Sequence, residues 1–436
     1  MSTHDVDVLV FGASSVTGRR VAAHLARRAA DSPGASWAVA GRDADKLRRV
    51  LAEEGVTPPE TLVADVGDPA SLAAMASRAR VVLNLVGPYT RHAEPVIEAC
   101  VAAGSHYVDL TGELPFVRRM NAIHDAPART AGVKVVQVCG FEALPPDLGV
   151  ALAAEAAAAS GDRLVDVDVE VRVTEQPRPP RLSDAISGGT FQSLAVAAGD
   201  PDAGHLTDPA CLVDDPIAAQ AVREQSPIRV RPRRRGEAII APMSPAAFIN
   251  PAVIHRSAAL RAGERGEPYA PFAYREGMAI PGRTVTLPLR AAVAGALSGT
   301  QAVFRAVTSV DRPGARQSVS RALERALPSS GYGPARDRLE PWRWQMTVRA
   351  TTAAGHDVTV EIDADGHPGY LTTARLLGEA GLLLAEPGAT PDRAGCLTPA
   401  TALGTASAAR FAHAGLRFSP LPGAGSAGSA GDEPAQ

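Results

Sequence analysis

Aromatic residues make up only 4% of the 436-residue chain, and there are only four cysteines. Cys100, Cys139, Cys211 and Cys396 lie far apart with no C-x-x-C pair. That argues against a zinc ribbon or a disulfide scaffold, points to no metal site, and fits a reducing compartment. An excess of one charge is missing too: 44 basic against 47 acidic side chains leave a net charge of -3. Nucleic-acid binding usually requires a concentrated basic footprint, so no nucleic-acid partner is expected. Long apolar runs are also absent. The most apolar stretch, residues 291–304 between Arg290 and Arg305, falls short of the roughly 20 residues that cross a bilayer. A buried helix is expected there, with a helix lying on lipid (a peripheral membrane contact) as the alternative. The start, Ser2-Thr3-His4-Asp5-Val6-Asp7, has neither the basic opening nor the apolar stretch of a signal peptide, which predicts a cytoplasmic protein. With 45% hydrophobic residues, the chain has enough apolar material for more than one core.

The first third repeats one rhythm of short apolar strand, turn and longer helical stretch. Strands are expected at Asp7-Val8-Leu9-Val10-Phe11, Ser36-Trp37-Ala38-Val39-Ala40, Thr61-Leu62-Val63-Ala64, Val81-Val82-Leu83-Asn84-Leu85-Val86, His106-Tyr107-Val108-Asp109-Leu110 and Lys134-Val135-Val136-Gln137-Val138. Near-continuous apolar runs mean burial on both faces, as in a parallel sheet between two helical layers. The expected fold is α/β: a Rossmann-type doubly wound parallel sheet plus a second α+β domain with a mixed or antiparallel sheet. That second sheet begins with the strict alternation of residues 164–173 and adds a hairpin from residues 345–350 and 356–362 around Ala353-Ala354-Gly355. Its half-exposed face offers a homodimer surface. Residues 176–181 and 226–236 read as loops. The basic run Arg231, Arg233, Arg234 and Arg235 reads as solvated rather than as an anion site. The domains expected are 1–150, 151–372, a returning helical segment 373–418, and a disordered Gly/Ser/Ala/Pro tail 419–436.

Phe11-Gly12-Ala13-Ser14-Ser15-Val16-Thr17-Gly18 joins the first strand to the first helix. Gly12 permits a tight turn, and Gly18 permits close packing of helix on sheet. The amides between them would face a pyrophosphate at a helix N-terminus, although Ser15 stands where a middle glycine is usual. The motif alone also fits a plain turn; its place in the alternating fold favours a dinucleotide. Arg42 at the end of the second strand, with Lys46 one turn on, favours NADP over NAD, pairing with a 2′-phosphate. Asp43 is either a ribose-binding acid or a helix N-cap. Asp65-Val66 lines the adenine or forms a simple loop. After the fourth strand, Asn84, Val86, Gly87, Pro88 and Tyr89 fall where the nicotinamide lies, Tyr89 serving as hydroxyl or as packing. Asp109, Thr111, Gly112 and Glu113, then Gly140, Phe141 and Glu142, open at the same carboxyl edge of the sheet, where such folds bind ligands.

Together these motifs resemble the saccharopine dehydrogenase-like family, in its bacterial branch of trans-acting enoyl reductases. The likeness rests on Val10 to Gly18, Ala40-Gly41-Arg42, Asn84 to Tyr89, His106 to Glu113, and Gly140-Phe141 to Pro145 with Asp147. It extends through Ser187-Gly188-Gly189-Thr190 and residues 396–404. The resemblance implies an NADP-dependent reductase of an enoyl thioester held on a carrier, with a synthase of lipid or polyketide assembly as partner. Tyr89 or Thr111 would stabilise charge on the thioester oxygen, and Glu113 or Glu142 would relay a proton. It also implies that the last segment returns to the first domain, with Thr398 capping a helix that starts at Pro399. The chain departs from the family pattern at Glu142, Ala143, Leu144 and Pro146, and at Ala93 in place of glycine. These departures bear on the substrate more than on the cofactor. Two other readings stay open: an imine reductase of amino-acid metabolism, and a non-catalytic NADP-binding scaffold.

Overall fold

A computed structural model describes residues 4–31, 34–177, 196–197, 199–242, 246–280, 287–308, 313–326, 334 and 336–421. The motif Ser187-Gly188-Gly189-Thr190, residues 178–181 and the tail beyond 421 lie outside these. The first part runs β1 (Val6–Phe11), α1 (Val16–Asp31), β2 (Trp37–Gly41), α2 (Ala44–Glu53), β3 (Thr61–Val63), α3 (Pro69–Arg78), β4 (Ala79–Asn84), α4 (Tyr89–His92), α5 (Glu94–Ala103), β5 (His106–Asp109), α6 (Leu114–Ala131), β6 (Lys134–Val136) and α7 (Leu144–Ala159). The second runs β7 (Leu164–Glu175), α8 (Pro216–Gln225), β8 (Arg233–Arg235), β9 (Ala238–Ala241), α9 (Ala246–Glu264), β10 (Ala273–Ile280), α10 (Leu287–Thr308), α11 (Pro313–Ala326), β11 (Arg343–Thr352) and β12 (Asp357–Asp365). The chain closes with α12 (Thr373–Ala385), β13 (Gly395–Leu397), α13 (Pro399–Leu403) and β14 (Leu416–Leu421).

The first sheet has seven parallel strands in the order β13-β6-β5-β4-β1-β2-β3. Its apolar runs are buried on both faces as their composition predicts, except at edge strand β3, where Val63 is 63% exposed. Val8, Val10 and Leu83 pack into one core, while Leu9, Phe11 and Val82 pack into another on the opposite side. The strand order reverses between β1 and β4, whose carboxyl ends, Phe11 and Asn84, sit side by side. A crevice forms at such a switch point because the connections leave toward opposite faces.

The second sheet is mixed, β14-β12-β11-β7-β10-β9-β8, with β10 parallel to β7 and the other pairs antiparallel. The predicted hairpin is β11–β12, Val348 facing Val360 and Met346 facing Ile362. α7 lies against this sheet so closely that a Cβ on Gly149 would meet Val348 Cγ2 at 2.8 Å.

The closing segment returns to the first sheet as expected, and contributes more than a helix. β13 adds an edge strand beside β6, and a capping box at Thr398 and Thr401 starts α13 at Pro399. α12 passes over β1 and β4, where a Cβ on Gly381 would lie 3.0 Å from Leu83 and 3.1 Å from Val8. Glu379 on α12 is fully buried and pairs with His24 and Arg28 of α1, both at 2.7 Å.

Three expectations are corrected. The apolar stretch 291–304 is helical but not buried as a whole: Val293 is 43% exposed, and residues 291, 292, 295 and 296 are exposed too, since only one stripe, including Ala294, packs against β9. The basic run is not a solvated loop throughout. Arg233–Arg235 form edge strand β8, and Arg233 and Arg235 pair with Asp168 of β7. Residues 419–421 belong to β14, paired with β12 through Ser419 and Glu361, rather than to a tail. No helix among the described residues is long and apolar enough to cross a membrane.

Candidate active site

The turn after β1 has the form its glycines predict. Gly12 adopts φ +87°, and a Cβ there would meet Leu85 C and Val86 Cγ2 at 2.9 Å. Ser15 explains its own presence in place of glycine, because its Oγ accepts the Gly18 amide at 3.0 Å as an N-cap does. Gly18 packs against the Gly12 carbonyl and Ala13, leaving no room for a side chain. The amides of Val16 and Thr17 open α1, ahead of any intrahelical acceptor, and the dipole adds partial positive charge there. Ser14 lies exposed at the rim. This cradle fits a pyrophosphate, with Gly12 the position at which a side chain would fill it.

At the end of β2, the two readings of Asp43 separate. Its carboxylate accepts the Lys46 amide at 2.9 Å and caps α2. Arg42 projects outward with its side chain 78% exposed, its Nε 4.0 Å from Asp65 Oδ2. Lys46 is exposed on the first turn of α2. Asp65 also receives the Gly67 amide at 2.8 Å, a loop-building role, while Val66 packs against the core beneath. The guanidinium is therefore exposed and available to a phosphate at this corner, while Asp43 and Asp65 are engaged in the cap and the turn.

Past β4, the loops knit together. Asn84 is fully buried; its Nδ2 donates to Tyr107 Oη at 3.0 Å and its Oδ1 accepts the Val86 amide at 3.0 Å. Tyr107 donates in turn to Asp109 at 2.8 Å, which also receives the Thr111 and Val138 amides. Burial raises the Asp109 carboxyl to about 7, against the pull of those three donors. Gly87 and Pro88 are joined by a cis bond. Val138 carries φ 60°, a region a β-branched residue enters only when its surroundings force it. That kink turns the chain after β6 toward Gly140.

Of the four residues expected to do chemistry, three are committed to this scaffold. Glu113 receives the Tyr89 amide at 3.0 Å, the Thr90 amide at 2.8 Å and the Thr90 hydroxyl at 2.5 Å, and so holds α4 in place. The Thr111 hydroxyl accepts the Glu113 amide, and Thr111 is fully buried. Tyr89 is buried, its hydroxyl directed at the Asn84 carbonyl at 3.4 Å, and desolvation holds its ionisation well above the ordinary value. Glu142 differs: its half-buried carboxyl receives no side-chain donor among the described residues, and burial raises it above the usual carboxylate range.

The loop bearing Glu142 is braced from both sides. The Phe141 amide donates to Thr373 Oγ1 at 3.2 Å, and the Phe141 ring meets Trp344 edge-on with centroids 4.8 Å apart. Gly140 is crowded, since a Cβ there would stand 2.8 Å from Glu142 Oε2. Asn250 of α9 donates to the Glu142 carbonyl at 2.6 Å and to Glu276 Oε2 at 2.8 Å. Sequence reasoning missed Asn250, Trp344 and Thr373. A lone amide between Ile249 and Pro251 in the apolar first half of α9, residues 246–254, is the signal that could have found Asn250.

Residues 8–136 match the model of the saccharopine dehydrogenase NADP binding domain. A protein of Mycobacterium tuberculosis (strain ATCC 25618 / H37Rv), provisionally named a trans-acting enoyl reductase, is 35% identical over 426 residues, 94% of this chain and 96% of that one. The chain belongs to the saccharopine dehydrogenase-like family. A second member, the trans-acting enoyl reductase of Mycobacterium ulcerans (strain Agy99), is 33% identical over 425 residues, 94% of this chain and 97% of its own. The fold matches apo saccharopine dehydrogenase (L-Glu forming) of Saccharomyces cerevisiae with a TM-score of 0.52 at 14% identity, across 95% of this chain and 99% of that one. Like the rest of this family of NADP-dependent oxidoreductases, the chain binds NADP in its first domain.

Proposed function

We propose that the protein reduces the carbon–carbon double bond of an enoyl thioester presented on a carrier, with a synthase of lipid or polyketide assembly as the donor of that substrate. Relatives of this name align along nearly the whole chain, and that full-length likeness carries the reading. Gly12 to Gly18 hold the pyrophosphate, Arg42 and Lys46 the 2′-phosphate, Asp65 and Val66 the adenine side. Asn84, Val86, Gly87, Pro88, Gly140 and Phe141 wall the nicotinamide. Bound there, NADPH supplies the hydride.

The remaining chemistry belongs to side chains of this chain. Negative charge develops on the thioester oxygen and requires a preorganised donor. The substrate's α-carbon must then take up a proton. Glu142 suits that second task, since burial favours its protonated form over an ordinary carboxylate's and its carboxyl receives no side-chain donor among the described residues. Glu113, Thr111 and Tyr89 act as positioning residues that hold the loops after β4 and β5.

Consumption of NADPH with crotonyl thioesters, and none with a keto acid plus an amino acid, is the expected result. Turnover of the second pair alone would instead support imine reduction. Tight NADPH binding without either reaction would mark a scaffold.

A further inference from the structure

Behind the Glu142 loop lies a cavity of about 360 Å³, walled by the chain from Pro227 to Arg233, by α9 and by β10. Ile228, Val230, Ile240 and Pro251 make its walls apolar, while its cationic groups include Arg229 and Arg231. The other arginines that line it are engaged: Arg233 pairs with Asp168, Arg275 pairs with Asp166 at 2.6 Å and with Asp168 at 3.4 Å, and Arg305 is partnered too. Among the described residues, Arg229 and Arg231 meet no carboxylate, and both are exposed at the cavity.

The inner end is polar and lies next to the candidate active site. Glu276 lines the cavity and accepts the Tyr274 hydroxyl at 2.6 Å. The same Asn250 amide that touches Glu276 also holds the Glu142 carbonyl, so one side chain separates cavity and loop. Asn250 Oδ1 and Glu276 Oε1 are enclosed with no partner among the described residues. Burial raises the Glu276 carboxyl to about 7, so below neutral pH it is mostly uncharged and leaves the cationic groups largely uncompensated.

We propose that this cavity takes the phosphopantetheine arm of the acyl carrier, with Arg229 and Arg231 gripping the phosphate and the apolar walls and the Asn250–Glu276 pair receiving the amide-bearing arm. The inference rests on the enoyl-thioester reading above. Two guanidinium groups unspent on protein acids match a phosphate oxygen set, and charge-assisted hydrogen bonds of this kind are the strong ones. An arm with its charge at one end and amides along an otherwise apolar length needs a cationic mouth, apolar walls and a polar inner group, in that order. Coenzyme A and a carrier protein both present this chemistry.

The test is calorimetry of the NADPH-loaded full chain with pantetheine 4′-phosphate and with pantetheine, repeated on R229A/R231A. Both arginines are exposed, so the variant should fold. Wild type is expected to bind the phosphorylated form about tenfold or more tightly, and the variant to lose that preference. Equal affinity of wild type for the two ligands, or a preference that survives in the variant, would overturn the proposal. So would displacement by glutamate or 2-oxoglutarate with no response to phosphopantetheine. Kinetics separate this from the reading beneath it. If no crotonyl thioester is reduced, with coenzyme A, carrier protein or N-acetylcysteamine, the enoyl reading fails whatever calorimetry shows. If they are reduced, a phosphate-dependent drop in KM supports the site. The lower KM, between crotonyl-coenzyme A and the crotonyl-loaded carrier protein, then names the source.

Discussion

Replacing Arg42 by alanine should separate the two nicotinamide coenzymes. The side chain is 78% exposed and its ionic neighbour Asp65 stands 4.0 Å away, itself 44% exposed. A pair so open to water contributes at most about 1 kcal/mol, so its loss should barely change the fold. A 2′-phosphate would instead receive charge-assisted hydrogen bonds, each contributing roughly 1.5–3 kcal/mol. Arg42→Ala should therefore weaken NADPH by about ten- to a hundredfold, with Lys46 retaining part of the attraction. NADH, which lacks that phosphate, should change by no more than about twofold, since it makes no such bond. Quenching and enhancement of nicotinamide fluorescence in parallel titrations measures both constants. Equal weakening of the two coenzymes would show that Arg42 supports the turn rather than the phosphate. No weakening of either would place the phosphate elsewhere.

Three further outcomes follow from the geometry. Glu142→Gln should lower kcat on a crotonyl thioester by about a hundredfold, and remove the alkaline limb of its pH profile, while leaving NADPH affinity within about twofold. An unchanged kcat would remove Glu142 from the chemistry. Asp147 is buried and raised from 3.8 to about 7, so the folded state holds that proton more tightly than the unfolded chain. Its contribution to stability is then complete below about pH 4, declines as pH rises toward 7, and is flat beyond. Asp147→Asn keeps an oxygen for the Ala400 amide, so urea unfolding across pH 5–8 should vary less with pH than in wild type. Glu379→Ala strands His24 and Arg28 between α1 and α12, and should cost about 3 kcal/mol in the same unfolding assay. A loss below about 1 kcal/mol would mean that the apolar contacts of α12 alone fix it.

What the sequence reveals here depends on how local the cause is. The strands of the first sheet are legible because burial on both faces writes itself as an unbroken apolar run, Val8 to Phe11 or Val81 to Leu83. The hairpin β11–β12 is legible because one face is buried and the other wet. β13 is not, because Gly395, Cys396 and Leu397 show no period of their own and become a strand only by lying beside β6. β8 is hidden for the opposite reason, its charge resembling a loop until Asp168 is brought across from β7. α10 misleads through composition, since alanine suits either a core or an exposed helix. In the site, the tight turn at Gly12 and the close packing at Gly18 could be read because the local geometry of a strand-to-helix turn requires them. Glu113 and Glu142 could not be told apart, because only the fold shows that the first is occupied by Tyr89 and Thr90 and the second is not.

The most direct measurement is a single turnover with NADPH carrying deuterium at C4 and a crotonyl thioester, the product weighed by mass spectrometry. A saturated butyryl thioester with one deuterium, formed as the NADPH absorbance falls, is the predicted result. A crotonyl thioester recovered unchanged, or a product without deuterium, would contradict the account.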